Sequence, residues 1–323
     1  MRLISLLLVA ALGATDPLCN DADTKIESIR RLRTKGELQA ARELAEKLVD
    51  CAAFAAADRI ALRLELAEVL EHQGLHHESL PVPEALRHIE AAAALDDDPA
   101  PATAAAIELA RAGYHYRAEA RTRLFPKAIL HVQQAISRFQ EAGDRHGEAD
   151  ALHLLGVLRF QRGEYDEARE LFDRSLAVDD EAGSRPFFRG EHDRYAGFLL
   201  LTRGDREAAL AAFESSLAAY QQAGAVGESL FAAITYASTL VAADRARDAQ
   251  EPLLYALMIA EKLDSPSGKS RAALVLGQLY EKLGDPAGAA HAYELTAAIA
   301  RAIGSDAVER QASASLQRLV TAR

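Results

Sequence analysis

The chain has 323 residues and a net charge of −11; half of its residues are hydrophobic, yet only 6% are aromatic and none is Trp. Such an acidic chain lacks the basic face of a nucleic-acid binder, and no like-charge block marks a disordered tail. Abundant Ala and few large rings suit helices packed closely on helices.

The start reads as an export signal. Met1-Arg2 is a short positive region, Leu3 to Leu12 is almost wholly apolar, and Ala11-Leu12-Gly13 places small residues where a signal peptidase cuts. The apolar run is about half the roughly 20 residues that span a bilayer, which favours a cleaved signal over a retained anchor and leaves no stable membrane span after cleavage. Asp16-Pro17-Leu18 before Cys19 does not form a lipobox. Arg far outnumbers Lys and Asn20 is the sole Asn, the composition expected of a GC-rich bacterial genome. A periplasmic or extracellular protein permits disulfides. Cys19 precedes the first mature helix and Cys51 ends the second; in an antiparallel pair these ends are adjacent. A Cys19–Cys51 bond would close a loop of 32 residues and contribute about 3–4 kcal/mol on the loop-entropy relation. The alternative is two unrelated thiols.

Downstream the chain repeats. Ala128, Ala168, Ala209, Ala249 and Ala289 are spaced by 40, 41, 40 and 40 residues. A fixed period of this size predicts stacked supersecondary units. In chain order, Gly36-Glu37, Ala41, Leu44 and Leu48 belong to the first hairpin; Ala85, Ile89 and Ala92 form a second helix after a loop with Pro81 and Pro83; Phe125, Ala128, Val132 and Ala135 form the next. In 149–182, Leu152, Leu155, Gly156 and Leu158 recur at helical spacing, Gly163 ends that helix, and Tyr165, Ala168, Phe172 and Leu176 mark its antiparallel partner. Phe187-Phe188 lie in an expected loop at 185–189, either folded back over the hairpin or projecting as a contact. The following units carry Gly197, Gly204-Asp205, Ala209 and Phe213, then a degenerate unit with Ala237, Asp244, Ala249 and Leu253, then Gly277, Gly284-Asp285, Ala289 and Tyr293. Asp306 to Leu319 reads as a capping helix.

These residues resemble the tetratricopeptide repeat. The stretch 154–176 is similar to that family in its Leu155-Gly156 pair, its Gly163-Glu164-Tyr165 turn, Ala168 and Phe172; Leu152 replaces the family's Trp, and the terminal Pro is missing. The period exceeds the family's 34 residues by about six, with Gly143, Gly183, Gly224 and Gly304 recurring between hairpins, as in the long-period variety of bacterial regulators and peptide-binding adaptors. The resemblance implies an all-α, right-handed α-solenoid of about seven hairpins plus a cap. The expected organisation is a signal peptide at 1–14, divergent hairpins at 15–100, a regular array at 101–304 and the capping helix at 305–323.

No residues announce catalysis or a cofactor. His72, His76, His77 and His88 cluster near the second hairpin, and His72 and His76 have the spacing of two metal ligands. Gly74 between them is expected to end the helix, which favours solvated loop histidines. Gly268-Lys269-Ser270 imitates the end of a phosphate-binding loop, but Leu263 stands where the upstream glycine belongs. No nucleophile elbow is present.

Binding is the better reading. In tetratricopeptide solenoids the first helix of each hairpin lines a concave face, and the matching positions here include Asp150, His153, Phe160, Glu191, Arg194, Phe198, Phe231, Ile234 and Arg271. Phe160, Phe198, Phe231 and Ile234 would form an apolar strip rimmed by His153, Arg194 and Arg271, suited to a helix or extended peptide. The alternative places these residues in the hairpin core. The Lys and Asn that bind a terminal carboxylate in chaperone adaptors are absent at these positions. The expected function is a non-catalytic scaffold for a protein or peptide. The rivals are a repeat component serving a separately encoded effector enzyme, a metal protein built on the His72–His88 cluster, and self-association through the solenoid ends.

Overall fold

The structure is a computed structural model that describes residues 19–77 and 82–321. The expected signal peptide and Pro81 lie outside the described residues. Among those described there are fifteen α-helices and no strand, and they form the predicted solenoid. α1 (Ala22–Thr34) pairs with α2 (Leu38–Leu48), α3 (Ala56–His76) with α4 (Pro83–Ala93), and α5 (Pro101–Ala118) with α6 (Pro126–Ala142). α7 (Arg145–Gln161) pairs with α8 (Tyr165–Gly183) and α9 (Pro186–Thr202) with α10 (Arg206–Gln222). α11 (Val226–Ala242) pairs with α12 (Gln250–Lys262), α13 (Pro266–Leu283) pairs with α14 (Pro286–Ala302), and α15 (Asp306–Thr321) caps α14.

A small and a large residue, sixteen positions apart, hold each regular hairpin together. A Cβ added at Gly156 would sit 2.7 Å from the Phe172 ring, at Gly197 2.5 Å from Phe213, and at Gly277 2.4 Å from Tyr293. The ring of the second helix therefore occupies the space that a side chain on the first would need. In the degenerate unit the matching positions are Ala237 and Leu253, both buried: a larger small residue faces a smaller large one. The turns follow the same logic. Gly204 and Gly284 end their helices with φ of +80° and +76°, a conformation that glycine adopts without Cβ strain. The next residue, Asp205 or Asp285, accepts from the backbone N–H three residues on, at 3.2 and 2.9 Å, and starts the next helix. Asp244 fills the glycine position of the degenerate unit with φ of +60°, one of the few side chains that tolerate it.

Helices are longer than the sequence implies in two places. α3 runs through Gly74 to His76, because Leu70, Glu71, Gly74 and His76 are buried; tertiary packing outweighs the roughly 1 kcal/mol that a mid-helix glycine costs. Phe187 and Phe188 lie in the first turn of α9 rather than in a loop. Phe188 is folded inward, buried beneath the Arg185 guanidinium at 4.9 Å. Phe187 is 40% exposed with its ring 5.7 Å from that of Tyr220.

Cys19 and Cys51 are joined in a disulfide, Cα atoms 5.9 Å apart. It ties the approach to α1 to the end of α2. Arg30 and Arg33 of α1 then reach Glu65 of α3 at 2.5 and 3.4 Å, and Arg33 reaches Glu68 at 2.9 Å.

Candidate inner-face site

Successive first helices touch one another, α1 with α3, α3 with α5, α5 with α7, α7 with α9, and α11 with α13. They line the inside of the curve, and the second helices stand outside. At the middle of this inner face is an aromatic group. Phe160 of α7 lies 5.7 Å from Tyr195 and 6.2 Å from Phe198 of α9, and Phe198 meets Phe213 at 5.1 Å. Phe160 and Phe198 are half-buried, whereas Tyr195 is buried. Tyr116 of α5 joins from the other side, its hydroxyl hydrogen-bonded with that of Tyr195 and with Gln161. Burial raises both phenols above their ordinary value.

Charge surrounds the rings. The Arg194 guanidinium stacks over Tyr195 at 4.7 Å and donates to Glu191 at 2.6 Å. Glu191 also accepts from the Tyr220 hydroxyl, and His153 Nε2 stands 3.5 Å away. Burial opposes ionisation of Glu191, but Arg194, His153 and Tyr220 outweigh it and hold the carboxyl well below the usual range. Glu191 is a fixed anion that orients Arg194, leaving the face of the guanidinium–tyrosine stack as its most distinctive feature.

The N-terminal hairpins close over one end of this face. α3 packs against α13, although their contacting residues are 189 positions apart. His76 Nδ1 lies 2.8 Å from Ser265 Oγ, and its ring is 5.8 Å from that of Phe231. His72 Nδ1 faces the Glu68 carbonyl at 2.8 Å and Nε2 faces the Glu228 carboxylate at 3.3 Å. Two acceptors on two ring nitrogens favour imidazolium, so despite the opposing effect of burial Glu228 raises the His72 pKa. His76 is the opposite case: burial, with His72 close by, lowers its pKa to about 4. In the turn after α1, a Cβ at Gly36 would come within 2.4 Å of Leu263 Cδ2, ahead of α13.

A tetratricopeptide-repeat family model matches residues 117–181, which span α6, α7 and nearly all of α8. The protein is of the tetratricopeptide-repeat (TPR) type. No curated protein matches the chain by sequence. Among solved structures, it is similar to a Rap protein complexed with competence and sporulation factor, at 12% identity, TM-score 0.56, covering 93% of this chain and 97% of that one. It is similar to NprR in complex with its cognate peptide NprX, at 15% identity, TM-score 0.58, covering 82% and 74%. It is also similar to aspartyl phosphate phosphatase F from Bacillus subtilis, at 14% identity, TM-score 0.56, covering 96% and 84%. At these identities the likeness is one of fold.

The TPR correspondence brings Phe160, Arg194 and Phe198 together on the inner face. Phe231 shares that side but is covered by His76. Ile234 departs from the expected strip and His153 from its expected rim. Both are buried: His153 packs on Phe172, Phe188 and Tyr195, and Ile234 lies in the core around α11 and α12. α7 to α11 have 17 to 19 residues each, so positions that face a groove in a shorter unit meet a neighbouring helix. Asp150 pairs with Arg185 at 2.8 Å, and Arg271 is exposed near Ser267 at 3.3 Å. Neither joins the aromatic group. Tyr116, Tyr195, Glu228, His72 and His76 were missed as inner-face residues; the helical phase of Tyr116 and Tyr195 offered a signal, whereas nothing local in sequence joins α3 to α11. The histidine cluster disperses: His72 and His76 turn to different partners, and no group of three or more His, Cys, Asp or Glu able to hold a metal occurs among the described residues.

Proposed function

We propose that this protein is a non-catalytic scaffold that binds a protein or peptide segment on the inner face of its TPR solenoid. The observation that carries the reading is the half-buried Phe160–Phe198 pair beside the Arg194–Tyr195 stack, all presented by first helices on the inside of the curve. Aromatic and arginine side chains in this setting are the usual anchors of an interface. The peptide named with NprR in a structure of similar fold supports the same class of ligand. The signal-like start and the disulfide support export to the periplasm or beyond. No helix among the described residues is long and apolar enough to cross a membrane.

The test is affinity capture from the native envelope fraction, read by mass spectrometry. Phe198→Asp puts a charge into the aromatic group; it should keep its far-UV circular dichroism and lose the partners that wild type retains. Capture unchanged by the substitution removes the inner face as the binding surface.

A further inference from the structure

The contact between α3 and the α11–α13 region joins hairpins that are not neighbours in the array. Hairpins stack on one another through alanine, leucine and aromatic side chains, and such stacking is a nearest-neighbour interaction. The α3 contact instead joins the second hairpin to the sixth and seventh and is made mostly of polar groups. Two histidines meet a carboxylate and a serine, with one ring against Phe231 and one leucine against Gly36.

We propose that the last turn of α3 is an intramolecular clasp that holds the superhelix closed and occupies the Glu228–Phe231 end of the inner face, so that a partner reaches that end only when the clasp opens. The second half of this statement rests on the inner face being the binding surface; the first half does not. Three observations converge on it. Glu228 and Phe231 project from a first helix on the side where TPR hairpins present residues, and both are already engaged by this chain's own His72 and His76. The parts that carry the clasp are braced as one body: the disulfide ties the approach to α1 to the end of α2, and Arg30 and Arg33 tie α1 to α3 through Glu65. The interactions named at the junction are mostly polar, His72 with Glu228 and His76 with Ser265, as in interfaces that open without unfolding either side. Ser265, which receives His76, is separately fixed because its hydroxyl accepts from the Gly268 N–H at 3.1 Å, so α13 keeps its N-cap when His76 leaves.

The experiment compares wild type with the double variant His72→Ala/His76→Ala on the full chain with its disulfide intact. Hydrogen exchange is followed in peptides covering 68–77 and 263–269, and the radius of gyration is measured by small-angle scattering. The clasp predicts exchange at least about tenfold faster in both peptides and a larger radius of gyration, at unchanged helicity. Wild-type exchange and radius at wild-type helicity overturn it. If the double variant loses helicity, His76→Asp replaces it by setting a charge against the Phe231 ring; the same two readouts must move or the clasp is rejected. The capture experiment with Phe198→Asp leaves the clasp residues untouched, so binding surface and clasp fail separately.

Discussion

The smallest unit that specifies this fold is a pair of residues sixteen apart. Glycine opposite a ring recurs at 156/172, 197/213 and 277/293, and the degenerate unit substitutes alanine opposite leucine at 237/253. Total volume at the crossing is kept roughly constant, as close packing requires. This gives a prediction with a sign change built in. Gly197→Ala forces the new methyl into Phe213 and should destabilise by about 1–3 kcal/mol. Adding Phe213→Leu makes the pair resemble 237/253 and should recover part of that loss, so the two substitutions should couple by about 0.5–3 kcal/mol in a double-mutant cycle. Urea denaturation followed by circular dichroism measures it; strictly additive losses would mean that the two residues do not share the space as described.

At the scale of helices and hairpins, most of the architecture was legible because TPR information is local. Turn glycines, Asp caps and the 3.6-residue apolar period lie within a few residues of what they control. Seven hairpins and a cap follow from them. What was not legible depends on neighbours. Gly74 reads as a stop, yet α3 passes through it because the residues around it are buried. Phe187-Phe188 read as loop, yet Pro186 at the first position starts α9. His153 and Ile234 read as groove and are core, because only the packing of long helices shows which side is covered. The disulfide is an element-scale staple that spacing alone did suggest. Cys19→Ser/Cys51→Ser should weaken the first hairpin by about 3–4 kcal/mol. In a solenoid that loss stays near the end where it is made. Hydrogen exchange should therefore accelerate over α1 and α2 and stay at wild-type rates in α9 and α10, which touch neither the first hairpin nor the α3–α13 junction, and a uniform acceleration along the chain would contradict hairpin-by-hairpin stability.

At the scale of the whole molecule, curvature is the property that no residue pattern displays. Small rotations accumulate over hairpins until α3 meets α13, and the inner face becomes partly enclosed. The histidines at that junction make the closure depend on pH, with opposite signs. His76 has a folded pKa lowered to about 4 by burial and by His72, so the closed form resists its protonation. Its contribution is complete above the ordinary histidine value and is lost as pH falls from about 6.5 toward 4, by up to about 3 kcal/mol. His72, whose pKa is raised by Glu228, contributes most below the ordinary value and loses that contribution as pH rises through its raised pKa. Glu228 has its own pKa lowered: burial opposes this, but His72 overcomes it, so the carboxylate stays charged throughout this range. The other charges facing the junction are Arg33, Glu68, His77 and Glu191. Because the His76 shift is large and downward, acidification from pH 7.5 to 5 should loosen the wild-type junction, seen as faster exchange in 263–269. His76→Gln removes the group that resists protonation and leaves His72 in place, so in that variant the same acidification should tighten the junction. Identical pH responses in the two proteins would show that His76 is not the group whose protonation opens the junction.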